Sequence, residues 1–197
     1  MRKQVLFSTL LAASVALTAC KKDDPKPVNE SELITTVEVT FTNQDDDSDV
    51  VTIRWYDEDG DGPANPVITN GNLRGGATYN AQVKLLDESK SPAKDITAEI
   101  RAEAEEHQLY YGFSNALFSS FEYLDQDANG RPLGLSFRVS TAPNRRDSEN
   151  FTVLLIHEGD KSKNNASSPW VYNQLIGGEV DVQADFKLNL QFESVVE

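Results

Sequence analysis

Two short acidic loops carry the residue pattern with the most defined chemistry in this chain. Residues 57–62 read D-x-D-x-D-G, and residues 125–130 read D-x-D-x-N-G. Oxygen ligands at the first, third and fifth positions of such a loop converge on one hard cation, and glycine at the sixth allows the sharp turn. With an asparagine at the ninth position of the first loop, the spacing predicts calcium ligands at Asp57, Asp59, Asp61, Asn65, Asp125, Asp127 and Asn129.

Neither loop completes this pattern at its twelfth position, where a calcium hand has a bidentate glutamate. Ile68 stands there in the first loop and Ser136 in the second, and strand patterns, not helices, flank both loops. Asp, Asn and Gly are also common turn formers, so a plain polar turn is the alternative. A calcium ion would need a further carboxylate or water, and the first loop is the stronger candidate.

His107 and His157 are the two histidines of the chain, and each lies beside a glutamate. A transition-metal site with His and Glu ligands is conceivable, but neither histidine has a second one at ligand spacing. Ordinary polar histidines at strand ends are therefore the favoured interpretation. The sequence also contains no Gly-x-Ser-x-Gly elbow and no glycine-rich phosphate loop after a strand, so we expect no enzyme activity.

The only cysteine, Cys20, ends a segment typical of a bacterial lipoprotein signal peptide. Two basic residues come first, residues 5–16 are mostly apolar, and small residues lead to the cysteine. Residues 17–20, Leu-Thr-Ala-Cys, look like a lipobox, in which the cysteine is lipidated and the peptide is cut before it. We therefore predict a signal peptide at 1–19 and a lipid anchor on Cys20. An ordinary signal peptide with a chance cysteine is the alternative.

Residues 20–32 predict a flexible tether between this anchor and a folded domain at 33–197. The tether contains two prolines and several charges but almost no apolar residue. A lysine directly after Cys20 favours the outer membrane over retention in the inner membrane. The run Lys-Lys-Asp-Asp resembles the signal that exports Bacteroidetes lipoproteins to the cell surface. We expect an outer-membrane protein exposed at the cell surface, with a periplasm-facing protein as the alternative.

The net charge limits the partners of this protein. The chain has 18 basic and 32 acidic residues and a net charge of -14, and loss of the two basic residues of the signal peptide leaves 16 and 32, or -16. Such a surface repels nucleic-acid phosphates and anionic lipid headgroups. We expect no nucleic-acid partner, a membrane contact through the lipid alone, and a monomer whose protein or glycan partner is not identified by the sequence.

Apolar and polar residues alternate over most of the domain, which is the period of half-buried strands. The alternating runs lie at 33–42, 51–56, 78–86, 107–114, 116–124, 133–139, 151–155 and 180–192, and the apolar pair at 67–68 predicts a further short strand. The last run has seven apolar residues on one face, and residues 95–107 give the one clear helical pattern. Together they predict an all-β, antiparallel immunoglobulin-like β-sandwich of about eight or nine strands with one crossover helix. A barrel is the alternative, because the last strand is long enough to wrap around one.

Six segments of the mature chain carry a resemblance to known proteins. They are Glu-Leu-Ile-Thr-Thr-Val (32–37), Asp-x-Asp-Gly-Asp-Gly (57–62), Leu-Leu-Asp-Glu-Ser (85–89), Asp-Ile-Thr (95–97), Glu-Glu-His-Gln (105–108) and Asp-x-Asp-x-Asn-Gly (125–130). Through them the chain resembles a family of small Bacteroidetes lipoproteins, some of which are labelled type 1 periplasmic-binding-fold proteins. The resemblance implies an envelope lipoprotein and assigns no activity to particular residues.

These observations favour a lipid-anchored binding or structural module of the envelope, with calcium as the one expected cofactor. The alternative is a small solute-binding lipoprotein that serves a transporter, which a cleft lined by Trp170 and other aromatic side chains would favour. An enzyme ranks third, and clustered, partly buried carboxylates with perturbed pKa values would favour it.

Overall fold

The computed structural model describes residues 32–60, 64–143 and 148–192. The predicted signal peptide, Cys20 and the tether up to residue 31 lie outside these ranges, and so does Asp61. In the described ranges, none of the helices has the length and apolar character needed to cross a membrane.

The described chain folds into eleven strands, one α-helix and one 3₁₀ helix. The strands are β1 (Thr36–Asn43), β2 (Val50–Tyr56), β3 (Val67–Thr69), β4 (Gly71–Arg74), β5 (Thr78–Asp87), β6 (Lys94–Asp95), β7 (His107–Phe113), β8 (Phe118–Tyr123), β9 (Ser136–Thr141), β10 (Ser148–His157) and β11 (Glu179–Gln191). The helix α1 (Ile96–Ala102) precedes β7, and the 3₁₀ helix (Lys161–Lys163) follows β10. The strand number exceeds the expected eight or nine because β4 and β6 are too short to show an alternating pattern, whereas β3 matches the short strand expected at 67–68.

The strands form two sheets that share one core. The larger sheet has the order β3-β2-β1-β5-β9-β8, with β6 beside β5, and the smaller sheet has the order β4-β11-β10-β7. Neighbouring strands pair antiparallel, except that β4 runs parallel to β11. The predicted all-β, antiparallel sandwich with one helix is confirmed.

Alternation along the strands supplies the core between the sheets. Val37 and Val39 of β1 and Phe151 and Val153 of β10 are fully buried, and they belong to one continuous apolar cluster. The Phe151 ring stacks on the Tyr111 ring with 5.8 Å between centroids. Burial of this apolar surface is the main favourable term in folding, so the alternating sequence pattern and the two-layer fold have the same cause.

The helix α1 ends earlier than the predicted span of 95–107. Its residues Ile96 and Ile100 are buried as the helical spacing predicts, but the last helical residue is Ala102. The Glu106 N–H then donates to the Glu103 carbonyl in a turn, and β7 begins at the next residue. Residues 103–106 therefore form a short bridge between helix and strand, and this bridge positions two polar clusters described below.

The last strand, β11, departs from strict alternation near its start. Val182 is buried, whereas Val180 is 56% exposed, so the expectation that seven apolar residues share one buried face is wrong at Val180. The pairing with β10 shifts at the Leu155–Ile156 step, which leaves Asp181 as the extra residue of a β-bulge. The bulge reverses the order of inward and outward side chains, and the Asp181 side chain is only 2% exposed.

Candidate functional site

The second acidic loop, residues 125–130, closes around a lysine of the same chain. The Lys161 ammonium donates to the Asp127 carboxylate at 3.0 Å, to the Ala104 carbonyl at 2.6 Å and to the Pro132 carbonyl at 3.2 Å. The side chains of the ion pair are at most 2% exposed. Three acceptors match the three N–H bonds of an ammonium group, so the buried charge has a complete set of hydrogen bonds.

The remaining carboxylate oxygens of this loop bond to the backbone. The other oxygen of Asp127 accepts from the Asn129 and Arg131 N–H groups, each at 2.9 Å. Asp125 accepts from the Gly134 N–H at 2.7 Å and from the first N–H of β9 at 3.1 Å. Calcium binding at this loop stays a prediction, and it now requires displacement of the lysine ammonium.

Burial and hydrogen bonds have opposite effects on the pKa values of these groups. Burial raises the pKa of Asp127, but the bonds from the Arg131 N–H and the Lys161 ammonium together outweigh it and hold the pKa below its ordinary value. Burial lowers the pKa of Lys161, and the Asp127 carboxylate offsets part of that effect. At Asp125 burial prevails over the backbone hydrogen bonds and raises the pKa. Asp127 is therefore ionised at neutral pH beside Lys161.

The first acidic loop, residues 57–62, is described only in part, because Asp61 lies outside the described residues. Asp57 is buried, and its Oδ1 accepts from the Asp59 N–H at 3.4 Å. The Asp59 carboxylate in turn accepts a hydrogen bond from the Ala64 N–H at 3.3 Å. Asn65 is exposed. These are contacts of a polar turn, and calcium binding at this loop stays a prediction.

A groove of about 440 Å³ opens beside the first acidic loop. Its lining comes from residues 32–34, from Trp55 and Gly60, and from residues 180–183 of β11. The volume falls within the usual range for small-molecule sites. The groove also brings the bulge of β11 next to the loop that the sequence indicates as a calcium site.

The two histidines meet in the smaller sheet. The antiparallel register of β7 and β10 places His107 directly opposite His157. Their rings are stacked, with 4.6 Å between centroids and 16° between planes. Both side chains are buried, and only 1% of His107 and 5% of His157 are exposed. Neither histidine has a second one at ligand spacing along the sequence, and both lie at strand ends as expected, but sheet pairing places them opposite each other.

Asp181 joins the two histidines from the other side of β10. Its Oδ2 lies 3.6 Å from the His107 Nε2. One ligand atom from each of His107, His157 and Asp181 lies within 4.8 Å of the other two. Alternation along β11 places Asp181 on the polar face of the strand, so the sequence analysis missed it. Asp181 faces inward only because the bulge shifts the alternation of inward and outward side chains, and this bulge has no sequence signature of its own here.

Glutamates surround this group. The Glu106 Oε2 lies 3.8 Å from the His157 Nε2, and the Glu158 N–H donates to the Glu106 carbonyl at 2.7 Å. The Glu103 carbonyl oxygen lies 3.2 Å from the His107 Nδ1. Burial is the largest effect on the pKa of His107 and lowers it. His107 is therefore neutral at neutral pH, which is the form that binds metal ions.

Trp170 packs against the core. Its indole stacks on Phe113 with 6.0 Å between centroids and lies tilted at 5.2 Å from Phe121. Packing accounts for this side chain, so Trp170 gives no support to an aromatic solute cleft.

Comparisons with protein-family models, with curated proteins and with solved structures gave no match for this chain. The resemblance to Bacteroidetes lipoproteins stays a prediction.

Proposed function

We propose that this protein is a lipid-anchored protein of the bacterial outer membrane, exposed at the cell surface, whose β-sandwich acts as a binding or structural module. Cys20 carries the proposal, because it is the only cysteine and stands at the end of an apolar signal segment. The first strand of the described residues, β1, begins at Thr36. The tether at 20–32 spans at most roughly 40 Å when extended, so the domain stands off the membrane without leaving it.

The charge of the mature chain agrees with this arrangement. A net charge of -16, from 16 basic and 32 acidic residues, disfavours contact between the domain and anionic headgroups. One acyl chain binds a bilayer only marginally, whereas several chains on one cysteine hold firmly. The lipid therefore provides the membrane contact, and the sandwich remains available to a protein or glycan partner.

Metabolic labelling with an alkyne-tagged palmitate in a bacterial host tests the anchor. We expect the full chain to be labelled and to sediment with the outer membrane, and Cys20→Ser to lose both properties. Thr18→Ser, which keeps a small residue before the cysteine, is the matched control and retains the label. Equal labelling of the Cys20→Ser variant, or a soluble wild-type protein, contradicts the proposal.

Protease treatment of intact cells tests the side of the membrane. Degradation of the domain in intact cells supports surface exposure. Protection in intact cells and degradation only after the outer membrane is opened supports the periplasm-facing alternative.

The groove of about 440 Å³ favours a second candidate function, a small solute-binding lipoprotein. Trp55 lines this groove and is 8% exposed, whereas Trp170 is packed against the core. Titration with sugars and short peptides should then change the fluorescence of wild type and of Trp170→Phe, but not of Trp55→Phe. An unchanged signal and an unchanged melting temperature across these ligands count against solute binding.

A further inference from the structure

Three adjacent strands of the smaller sheet bring metal-ligand side chains together. His107 on β7, His157 on β10 and Asp181 on β11 each offer one ligand atom, and these atoms lie within 4.8 Å of one another. Imidazole nitrogens and carboxylate oxygens are the donors that Zn²⁺ takes in proteins. Strands and not surface loops hold all three side chains, so sheet pairing fixes their backbone positions.

A hydrogen bond indicates which nitrogen of His107 faces the group. Its Nδ1 lies 3.2 Å from the Glu103 carbonyl oxygen. A carbonyl only accepts hydrogen bonds, so this contact assigns the ring proton to Nδ1. In the neutral ring the lone pair is then on Nε2, the atom that faces Asp181. Histidines that ligate metals commonly donate their other N–H to a backbone carbonyl in this way.

The distance between the His107 Nε2 and the Asp181 Oδ2, 3.6 Å, fits two ligands of one ion. It is longer than an ordinary hydrogen bond, for which about 2.7–3.2 Å is typical. Two ligands of a tetrahedral Zn²⁺, each about 2.0–2.1 Å from the ion, lie roughly 3.3 Å apart. All separations in the group are within 4.8 Å, so a pair of ligand atoms would have to approach by at most roughly 1.5 Å on binding.

We propose that His107, His157 and Asp181 bind one divalent transition-metal ion, for which Zn²⁺ is the probe. Three protein ligands leave a fourth position for water or for Glu106, whose Oε2 lies 3.8 Å from the His157 Nε2. The Glu106 side chain is 56% exposed, so it connects the buried ligands with solvent and provides an entry path. This site goes beyond the proposed anchoring function and does not depend on it.

A rim group competes for the same histidine. Glu106, His157 and Glu158 also place one ligand atom each within 4.8 Å of one another, but both glutamates are exposed. The buried group is the stronger site for a transition metal because it supplies two imidazoles, one of them oriented by the Glu103 carbonyl. Variants of the buried and of the exposed residues must therefore show which group binds the ion.

Metal titration of the full chain tests the proposal. The protein is purified in detergent, treated with EDTA, and titrated with ZnCl₂ in a calorimeter. We expect one ion per chain, and at about a hundredfold excess over Kd an increase in melting temperature of roughly 5–10 °C. Co²⁺ in the same site provides a spectroscopic readout, because its visible absorption reports the coordination geometry.

Substitutions of the buried ligands identify the site. We expect His107→Gln and Asp181→Asn each to weaken Zn²⁺ binding at least about tenfold and to remove the Co²⁺ absorption. Asp185→Asn is the matched control, because Asp185 lies on the same strand, is exposed and bonds to Thr152. Circular dichroism verifies folding, and Asp181→Asn, which keeps the side-chain shape, carries the test if His107→Gln does not fold.

Two results would overturn the proposal. One is the absence of stoichiometric binding, or the same Zn²⁺ affinity in Asp181→Asn as in wild type. The other is binding that Glu158→Gln removes and Asp181→Asn leaves intact, because that outcome places the ion on the exposed rim.

Discussion

Two buried polar clusters of this domain both contact one short segment, residues 103–106, and they differ in how their charges are balanced. In the first cluster the carbonyls of Ala104 and Pro132 and the carboxylate of Asp127 surround the Lys161 ammonium. The chain itself supplies the cation, and all three N–H bonds of that cation are used.

The second cluster contains no lysine or arginine among its described members. The Glu103 carbonyl orients His107, whose Nε2 faces the Asp181 carboxylate at 3.6 Å. Because burial lowers the pKa of His107, the facing groups are a lone pair and a carboxylate. These two groups become complementary when a proton or a metal ion lies between them. The first cluster therefore contains its own cation, whereas the second is the group for which we propose a bound metal ion.

An acidic sequence motif does not by itself decide where a cation binds. Asp127 belongs to a loop with calcium-like spacing, yet its carboxylate contacts a lysine that lies 34 residues away in sequence. The histidines have no local motif, yet strand register brings them together. Four predictions test this contrast.

The largest effect is expected at Lys161. Lys161→Met leaves the Asp127 carboxylate buried without its cation, which costs about 3–5 kcal/mol of unfolding free energy. Urea unfolding monitored by circular dichroism measures this loss. Lys163→Met, an exposed change in the same 3₁₀ helix, is the control and should stay within about 0.5 kcal/mol of wild type.

A double variant checks the cause of that loss. Lys161→Met combined with Asp127→Asn removes both charges and should be more stable than Lys161→Met alone. If the double variant is as unstable as the single variant, the loss comes from packing around the lysine stem and not from an uncompensated charge.

Replacement of aspartate by asparagine should reduce the unfolding free energy much more in the first cluster than in the second. Asp127→Asn leaves the Lys161 ammonium buried without a carboxylate and should cost about 3 kcal/mol. In metal-free protein, Asp181→Asn replaces a carboxylate that faces the His107 lone pair with an amide that can donate to it. We expect its unfolding free energy to stay within about 1 kcal/mol of wild type. Similar large losses in both variants would remove the contrast between the clusters.

Much of the fold could be predicted from the sequence, because burial of one strand face imposes a period of two. The runs that became β1, β5 and β10 show this period, and the buried face of α1 follows from its spacing. The short strand β3 was predicted from the apolar pair at 67–68, but β4 and β6 could not be predicted, since two to four residues carry no period. The bulge at Asp181 could not be predicted either, because it depends on pairing with β10.

The site was harder to predict, for a physical reason. Contacts between β7, β10 and β11 depend on which strands become neighbours and in what register, and neither is contained in a local pattern. The only available signal was that each histidine stands beside a glutamate at the end of an alternating run. The sequence did not indicate a buried role for Lys161, because this residue lies in a polar connection after β10, and such a connection is typical of a solvent-exposed loop.

The stability of the domain at acid pH should reveal the contribution of the ion pair between Asp127 and Lys161. Hydrogen bonds from the Arg131 N–H and Lys161 hold the pKa of Asp127 below its ordinary value of 3.8 despite burial. A carboxylate with a lowered folded pKa stabilises the protein above the unfolded pKa, and this contribution is lost as pH falls through the folded pKa. Wild type should therefore lose more stability below about pH 4 than the double variant Lys161→Met/Asp127→Asn.

Urea midpoints measured from neutral pH down to the acid transition test this difference. The unfolding free energy of wild type minus that of the double variant should decrease as pH falls. A constant difference would show that Asp127 titrates at the same pKa in the folded and unfolded states.

The smallest effects test the bulge that places Asp181 beside the histidines. Val180 is 56% exposed and Val182 is 6% exposed. Valine and threonine have nearly the same shape, so the exchange adds a hydroxyl with little change in volume. Val182→Thr buries that hydroxyl and should cost about 1–2 kcal/mol, whereas Val180→Thr should stay within about 0.5 kcal/mol of wild type. Equal losses would mean that both valines face the core, and strict alternation would then turn Asp181 away from His107.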